Sequence, residues 1–188
     1  SVHFIANSEN VGFARANNQA LRQVDAEYSL LLNPDTLIGE STLEACLRFM
    51  QQHPEAGALG VRMMNAQGEF LAESKRGLVT PFVAFCKIVQ LGRLFPKSAV
   101  FNRYYLGHLS KVEVQEAPIL SGAFFFARSE ALRKVGYLDE RYFMYGEDID
   151  LSYSILQAGY RNYYLPTPML HYKGESESAA QGEGRYLD

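Results

Sequence analysis

The chain has 188 residues, of which 47% are hydrophobic and 21% charged, with a formal net charge of -3. That length and balance fit one globular domain with its own core and exclude a globally disordered chain. The acidic total supplies no general field for nucleic acid, so no such partner is expected. No run of 18 apolar residues occurs, and no signal peptide is visible. Cys46 and Cys86 stand outside any CxxC or Cys/His cluster, which predicts two small core residues in a reducing compartment.

Val2–Ile5 has strand character from the first residues, so the sequence reads as a piece of a longer protein. A turn-rich loop, Asn7–Gly12, precedes a predicted helix from Phe13 to Val24. Tyr28–Leu32 is an apolar run of strand length, ended by Asn33-Pro34-Asp35. A helix is predicted over Glu40–His53, with Leu43, Cys46, Leu47 and Met50 on one face. Ala58–Met64 reads as a buried strand, followed by a turn and a short return strand at Glu69–Leu71. Later elements are a strand within 117–128, a helix over Glu130–Val135 capped by Gly136, a helix over Asp148–Ala158 and a strand over Arg161–Leu165. Alternating strands and helices predict an α/β sandwich with a mainly parallel sheet, in which ligands bind at the carboxyl ends of strands. The expected domain covers 1–174, with a loose polar tail at 175–188.

The stretch 78–109 differs in character. From Ser74 to Val112 there is no Asp or Glu, while Lys75, Arg76, Lys87, Arg93, Lys97, Arg103 and Lys111 are basic. Two readings stand: an amphipathic segment facing anionic lipid or a lipid-linked acceptor, and an ordinary excursion with a solvated basic edge.

Three constellations carry chemistry. Asp35, at a strand end beside Pro34, can reach a hard divalent cation, although Asn-Pro-Asp is also a good turn and cap. Glu147, Asp148 and Asp150 open a helix, which suits either simple capping or base catalysis. The aromatic flanks Tyr142, Phe143, Tyr145 and Tyr153 favour desolvated acids, and Glu147 and Asp150, three apart, are placed to share a face. His171 follows a strand, and an imidazole joined to an aspartate makes a plausible metal pair.

Asn10–Asn18, Leu31–Thr36, Leu120–Ala123, Gly136–Leu151, Ala158–Tyr160 and His171–Gly174 together resemble the family 2 glycosyltransferases of the GT-A fold, in their bacterial rhamnosyltransferase-like branch. The order holds over about residues 4–176, nearly the whole chain. The resemblance implies a Rossmann-like, mainly parallel sheet that lacks its first strands here. It implies a nucleotide-sugar donor, with deoxythymidine diphosphate rhamnose as the first choice. Asn10, Gly12, Phe13, Arg15 and Asn33 would line the donor, and Asp35 and His171 would hold Mg2+ or Mn2+. Gly122 and Ala123 would lie under the sugars, Asp148 would be the general base, and Glu147 would stand near the acceptor. The acceptor would be a saccharide or a lipid-linked sugar. The expected place of work is the cytoplasm, and peripheral contact at the inner face of the membrane through 78–109 belongs to the first of the two readings of that stretch. Ser154 stands where the family usually has a basic residue. A sheet without its first strands would expose an edge and invite self-association.

An inverting transfer needs one base and positive charge on the leaving diphosphate, and no protein nucleophile. No Ser/His/Asp or Cys/His arrangement argues for one. Two other classes remain open at this point: a non-catalytic nucleotide- or sugar-binding module of the same fold, and a nucleotidyltransferase. The 188 residues show no Gly-rich, Lys-ended loop, which argues against a P-loop enzyme.

Overall fold

A computed structural model describes residues 2–107 and 109–171. The tail expected at 175–188 and the end of the His171–Gly174 motif lie outside the described residues. Strands β1 (Tyr28–Leu32), β2 (Thr36–Ile38), β3 (Ala56–Met64), β4 (Gln115–Glu116), β5 (Phe124–Arg128) and β6 (Arg161–His171) form one sheet. Its order is β1-β5-β3-β6-β2, with β4 added on β6. The helices are α1 (Phe13–Leu21), α2 (Thr42–Gln52), α3 (Pro81–Ile88), α4 (Leu91–Leu94), α5 (Ser129–Val135) and α6 (Glu147–Gln157).

Both faces of the sheet are covered. Successive strand residues point to opposite sides, and β5 shows the result. Phe125 and Ala127 pack with Leu21, Leu132 and Ile155 of α1, α5 and α6. Phe124 and Phe126 pack with Cys46 and Met50 of α2. Two-sided burial is why β5 is an unbroken apolar run rather than an alternating one. Each large apolar side chain buried this way is worth about 1.5–3 kcal/mol. Both cysteines are free and buried, as expected, and burial pushes the Cys46 thiol up to about 12.

The sheet is mixed, which corrects the expectation of a mainly parallel one. Only β3 and β6 pair in parallel; the pairings β1–β5, β3–β5, β2–β6 and β4–β6 are antiparallel. β1, β3 and β6 do run the same way, but β5 lies between β1 and β3 and opposes both. A helical crossover returns the chain as a parallel strand. β5 is reached instead through the long excursion from 72 to 115, so no crossover sets its direction.

Four local expectations also change. Residues 2–5 form no strand; Val2 and Phe4 are exposed, because a strand needs a neighbour to bond with and none lies there among the described residues. On α2 the buried stripe is Thr42, Cys46 and Met50, one ridge at four-residue spacing, while Leu43 and Leu47 remain half-exposed. The apolar run at 117–128 becomes strand only from Phe124, since Ser121–Ala123 bend away. β6 continues past Leu165 through Pro166 and Pro168 to His171. Its ladder with β3 shifts register between Val61 and Arg62, where the irregularity takes up the missing proline N–H groups. The predicted helix stop at Gly136 holds, with φ of 82° in the left-handed region.

This order decides where the loops gather. The carboxyl ends of β1, β3 and β6 share one edge with the amino ends of β5 and β2. Leu32 stands opposite Phe124, and Thr36 opposite His171. The excursion lies beside that edge and contributes α3, whose Thr80 caps it by accepting from the Val83 N–H at 3.3 Å. Val83 and Cys86 of α3 are buried, while Phe82, Phe85 and Ile88 are exposed. No helix among the described residues is long and apolar enough to cross a membrane.

Candidate functional site

The first part of the site is built by register. The Asn33 N–H donates to Ala123 O at 3.1 Å, and the Thr36 hydroxyl donates back to Asn33 O at 2.7 Å. The turn between them presents Asp35 directly before Thr36, which faces His171 across the β2–β6 ladder. The outcome is His171 Nε2 at 3.4 Å from Asp35 Oδ1, with side-chain exposures of 13% and 4%. Two ligands bound cis to one hard cation lie about 3 Å apart at the usual ~2.1 Å bond lengths. The two donors thus fit one such ion with little movement, leaving its other positions for phosphate oxygens or water. No group of three or more His, Cys, Asp or Glu side chains suited to a metal occurs among the described residues.

The second part sits at the start of α6. Asp148 Oδ1 accepts from the Ile149 N–H at 2.8 Å, and Oδ2 accepts from the Gly122 N–H at 3.2 Å. Oδ2 also accepts a short hydrogen bond from the Arg76 guanidinium, which donates in addition to Leu120 O at 2.8 Å. The side chains of Arg76 and Asp148 are 11% and 16% exposed, so this ion pair is largely withdrawn from water. Ser152 ties α6 to the segment before Gly122: its hydroxyl accepts from the Leu120 N–H at 3.1 Å and donates to Asp148 O, one turn back in the helix, at 2.6 Å.

Glu147 is buried, and its Oε2 has no hydrogen-bond partner among the described residues. Burial, reinforced by the charge of Asp148, raises its carboxyl above the ordinary range. Asp150 is raised as well, by burial and then by Asp139. The two acids do not share surroundings: Glu147 senses Asp148 and Arg76, whereas Asp150 senses Asp139 and Arg141. The aromatic flanks Tyr142, Phe143, Tyr145 and Tyr153 are partly exposed, and the Tyr142 ring packs against Gly146 beside Glu147.

The loop before α1 completes the cluster. Asn10 Oδ1 accepts from the Gly12 N–H at 3.0 Å, and the Phe13 N–H donates to Phe143 O at 3.0 Å. Gly12 has φ of 80°, and a Cβ there would stand 2.5 Å from Phe143 O, so only glycine fits. The Phe13 ring and the Asp148 Cβ both pack against the face of Gly122 where a side chain would stand. Arg15 does not join this group; it pairs with Glu140 at 3.6 Å, beside Arg22.

The structure thus brings together Gly12, Phe13, Gly122, Glu147 and Asp148, links Asn33 to Ala123, and pairs Asp35 with His171. Two residues went unassigned in the sequence. Arg76 was one cation in a basic run, 72 positions from its partner, and no spacing rule reveals such a pair. Asn18 is fully buried; its amide donates to Leu138 O at 2.8 Å and accepts from the Leu138 N–H at 3.1 Å, which docks α1 on the loop before α6. A polar residue on the buried face of an amphipathic helix was the available signal.

The family model described as "Glycosyl transferase family 2" matches residues 1–136. An N-acetylglucosaminyl-diphospho-decaprenol L-rhamnosyltransferase of Mycobacterium tuberculosis (strain ATCC 25618 / H37Rv) is 28% identical over 190 residues, covering 94% of this chain and 60% of that protein. The rhamnosyltransferase WbbL of Escherichia coli (strain K12) is 26% identical over 182 residues, covering 86% and 61%. The chain therefore spans about 60% of the length of the curated relatives it matches. Among solved structures, GalNAc-T7 with UDP, GalNAc and Mn2+ superposes with a TM-score of 0.59 at 14% identity, over 88% of this chain and 31% of that one. TarS 1-349 of S. aureus gives 0.56 at 16%, over 93% and 44%. These likenesses show the GT-A fold, and the match over most of the sequence places the chain in glycosyl transferase family 2.

Proposed function

We propose that this chain is the catalytic core of an inverting, cation-dependent glycosyltransferase that moves a sugar from a nucleoside diphosphate donor to a saccharide or lipid-linked acceptor. The observation that supports it most is one sheet edge carrying a cation-ready pair and a carboxylate held by the Gly122 N–H. Asn33 N–H to Ala123 O ties the two together. In the reading offered here, Asp148 takes the proton of the acceptor hydroxyl. The acceptor oxygen then bonds to the anomeric carbon, and the bond from that carbon to the diphosphate oxygen breaks with its electron pair. A divalent ion held by Asp35 and His171 supplies positive charge for the leaving diphosphate when bound.

Gly122, with no side chain, lets Asp148 and the Phe13 ring pack against its backbone, where a Cβ would stand 3.4 Å from Asp148 Cβ. Asp148 keeps lone pairs beyond those that Arg76, Gly122 and Ile149 occupy. Glu147, in its protonated form, can donate to an acceptor oxygen. The likeness to rhamnosyltransferases makes deoxythymidine diphosphate rhamnose the donor to try first. It also points to a prenyl diphosphate-linked sugar as acceptor, met at the inner face of the membrane.

The test is nucleoside diphosphate release from a panel of nucleotide sugars with Mn2+ or Mg2+ and candidate acceptors. Release from one donor, abolished by chelator and in Asp148→Asn and Asp35→Ala, is the expected result. A folded protein that releases nothing from any donor with lipid-linked acceptors supplied would leave the binding-module reading in its place.

A further inference from the structure

The excursion between β3 and β5 encloses a cavity of about 730 Å3 that the site above does not use. Five cations line it, Lys75, Lys87, Arg93, Lys97 and Lys111, and no carboxylate does among the described residues. What faces these charges is carbonyl and ring. The Lys75 ammonium donates to Leu109 O and Ser110 O at 3.0 and 2.7 Å. Lys87 Nζ lies 3.8 Å from the Tyr104 ring centre, and Lys111 Nζ 4.8 Å from that of Phe70. Burial, then the nearby Lys111, pulls the Lys75 ammonium down to about 8. A cavity of this size suits a ligand of small-molecule dimensions, and its lining calls for an anion.

The same segment is apolar on its outside. Phe82, Phe85 and Ile88 of α3 are 52%, 55% and 79% exposed, and Leu94 is 72% exposed. These side chains do not line the cavity, but they stand on the same two helices as Lys87 and Arg93, which do; large apolar side chains exposed together mark a binding surface rather than ordinary scatter.

The cavity also adjoins the reacting groups. An extended segment bridges Arg76 to Ile119, sending Arg76 to Asp148 while its neighbour Lys75 lines the cavity. Tyr104 lines the cavity too and interacts with Arg76.

Building on the transfer reading above, we propose that this cavity binds the diphosphate of a prenyl-linked acceptor, with the exposed apolar side chains of α3 and α4 receiving the prenyl chain. Lys87, Arg93 and Lys97 neutralise the phosphates, and the sugar carried on them extends past Tyr104 toward Asp148. The cations alone would suit any soluble phosphate; the apolar rim is what selects a lipid.

The probe is farnesyl diphosphate, titrated by calorimetry into the 188-residue chain with chelator present, so that no divalent ion recruits a diphosphate to Asp35 and His171. Binding is expected, and the double variant Lys87→Ala/Arg93→Ala should weaken it by roughly tenfold or more while leaving the melting curve unchanged. Inorganic pyrophosphate should bind more weakly than farnesyl diphosphate. The proposal is overturned by no binding, by equal binding to the double variant, or by pyrophosphate binding as well as the lipid. It is also overturned if neutral phosphatidylcholine vesicles capture the chain and farnesyl diphosphate does not compete. Nucleoside diphosphate release separates this from the reading it builds on. Release with an indifferent double variant removes the cavity site alone. Variant-sensitive farnesyl diphosphate binding without release from any donor removes the transfer reading alone.

Discussion

Asp35 and Asp148 lie near the same sheet edge, each facing a nitrogen group from far along the chain, yet the two pairs differ in kind. Asp35 faces His171 at 3.4 Å, and Asp148 faces Arg76. Imidazole has a lone pair and can share a cation with a carboxylate. A guanidinium has none and stays charged, so it can only balance and orient its partner. One pair is therefore open to a further ion, whereas the other is complete as it stands. The lesson is that the chemistry of a carboxylate is set by what meets it.

The difference can be broken at four points. Asp148→Asn should have the largest effect, lowering turnover about 10²–10⁴-fold, because an amide cannot accept the acceptor's proton. Nucleoside diphosphate release measures it, and near-normal turnover would remove Asp148 from the base role.

Arg76→Ala should come next, costing about 3–5 kcal/mol of stability by leaving a largely buried carboxylate without its counter-charge. Denaturant unfolding reads this directly. A much smaller loss would mean that water or Gly122 already balances Asp148.

His171→Ala should leave stability nearly intact and weaken cation affinity by roughly tenfold or more, about 1.4 kcal/mol. Titrating Mn2+ against the apo chain and following the bound ion by paramagnetic relaxation tests it. Equal affinity in both forms would show that Asp35 acts without the imidazole.

The smallest effect belongs to Glu147. Its folded carboxyl lies above the ordinary value of 4.5, so ionising it weakens the fold. The penalty is absent below the unfolded value, grows as pH rises through that value toward the raised one, and is complete above it. Relative to wild type, Glu147→Gln should therefore gain melting temperature from acid to neutral pH. A difference that stays flat across pH would show that Glu147 is not desolvated.

Asn18 and Arg76 show why part of the site escaped the sequence. Asn18 sits in a stretch that resembles the family motif, but its task is to hold Leu138 and Glu140, some 120 positions away. Arg76 looks like any other member of an acid-free basic run. Asp35, Asp148 and Gly122 were singled out because their motifs resemble the family's; on residue type alone Asn-Pro-Asp is also a turn and an acidic helix start also a cap.

The sequence alone determined what short-range physics controls. Apolar runs and breakers set β1, β3, α5 and α6, and glycine at 136 set a left-handed helix stop. Tertiary structure decided whatever depends on a neighbour. The strand-like run at 2–5 found no strand to join among the described residues, Leu43 and Leu47 were left half-exposed, and β6 ran on through two prolines because β3 lay alongside. β5 entered between β1 and β3 and made the sheet mixed, and the basic residues of the excursion became the lining of one cavity. Propensity and pattern act over a few residues, whereas strand order, ion pairing and shared cavities depend on contacts between residues distant in sequence.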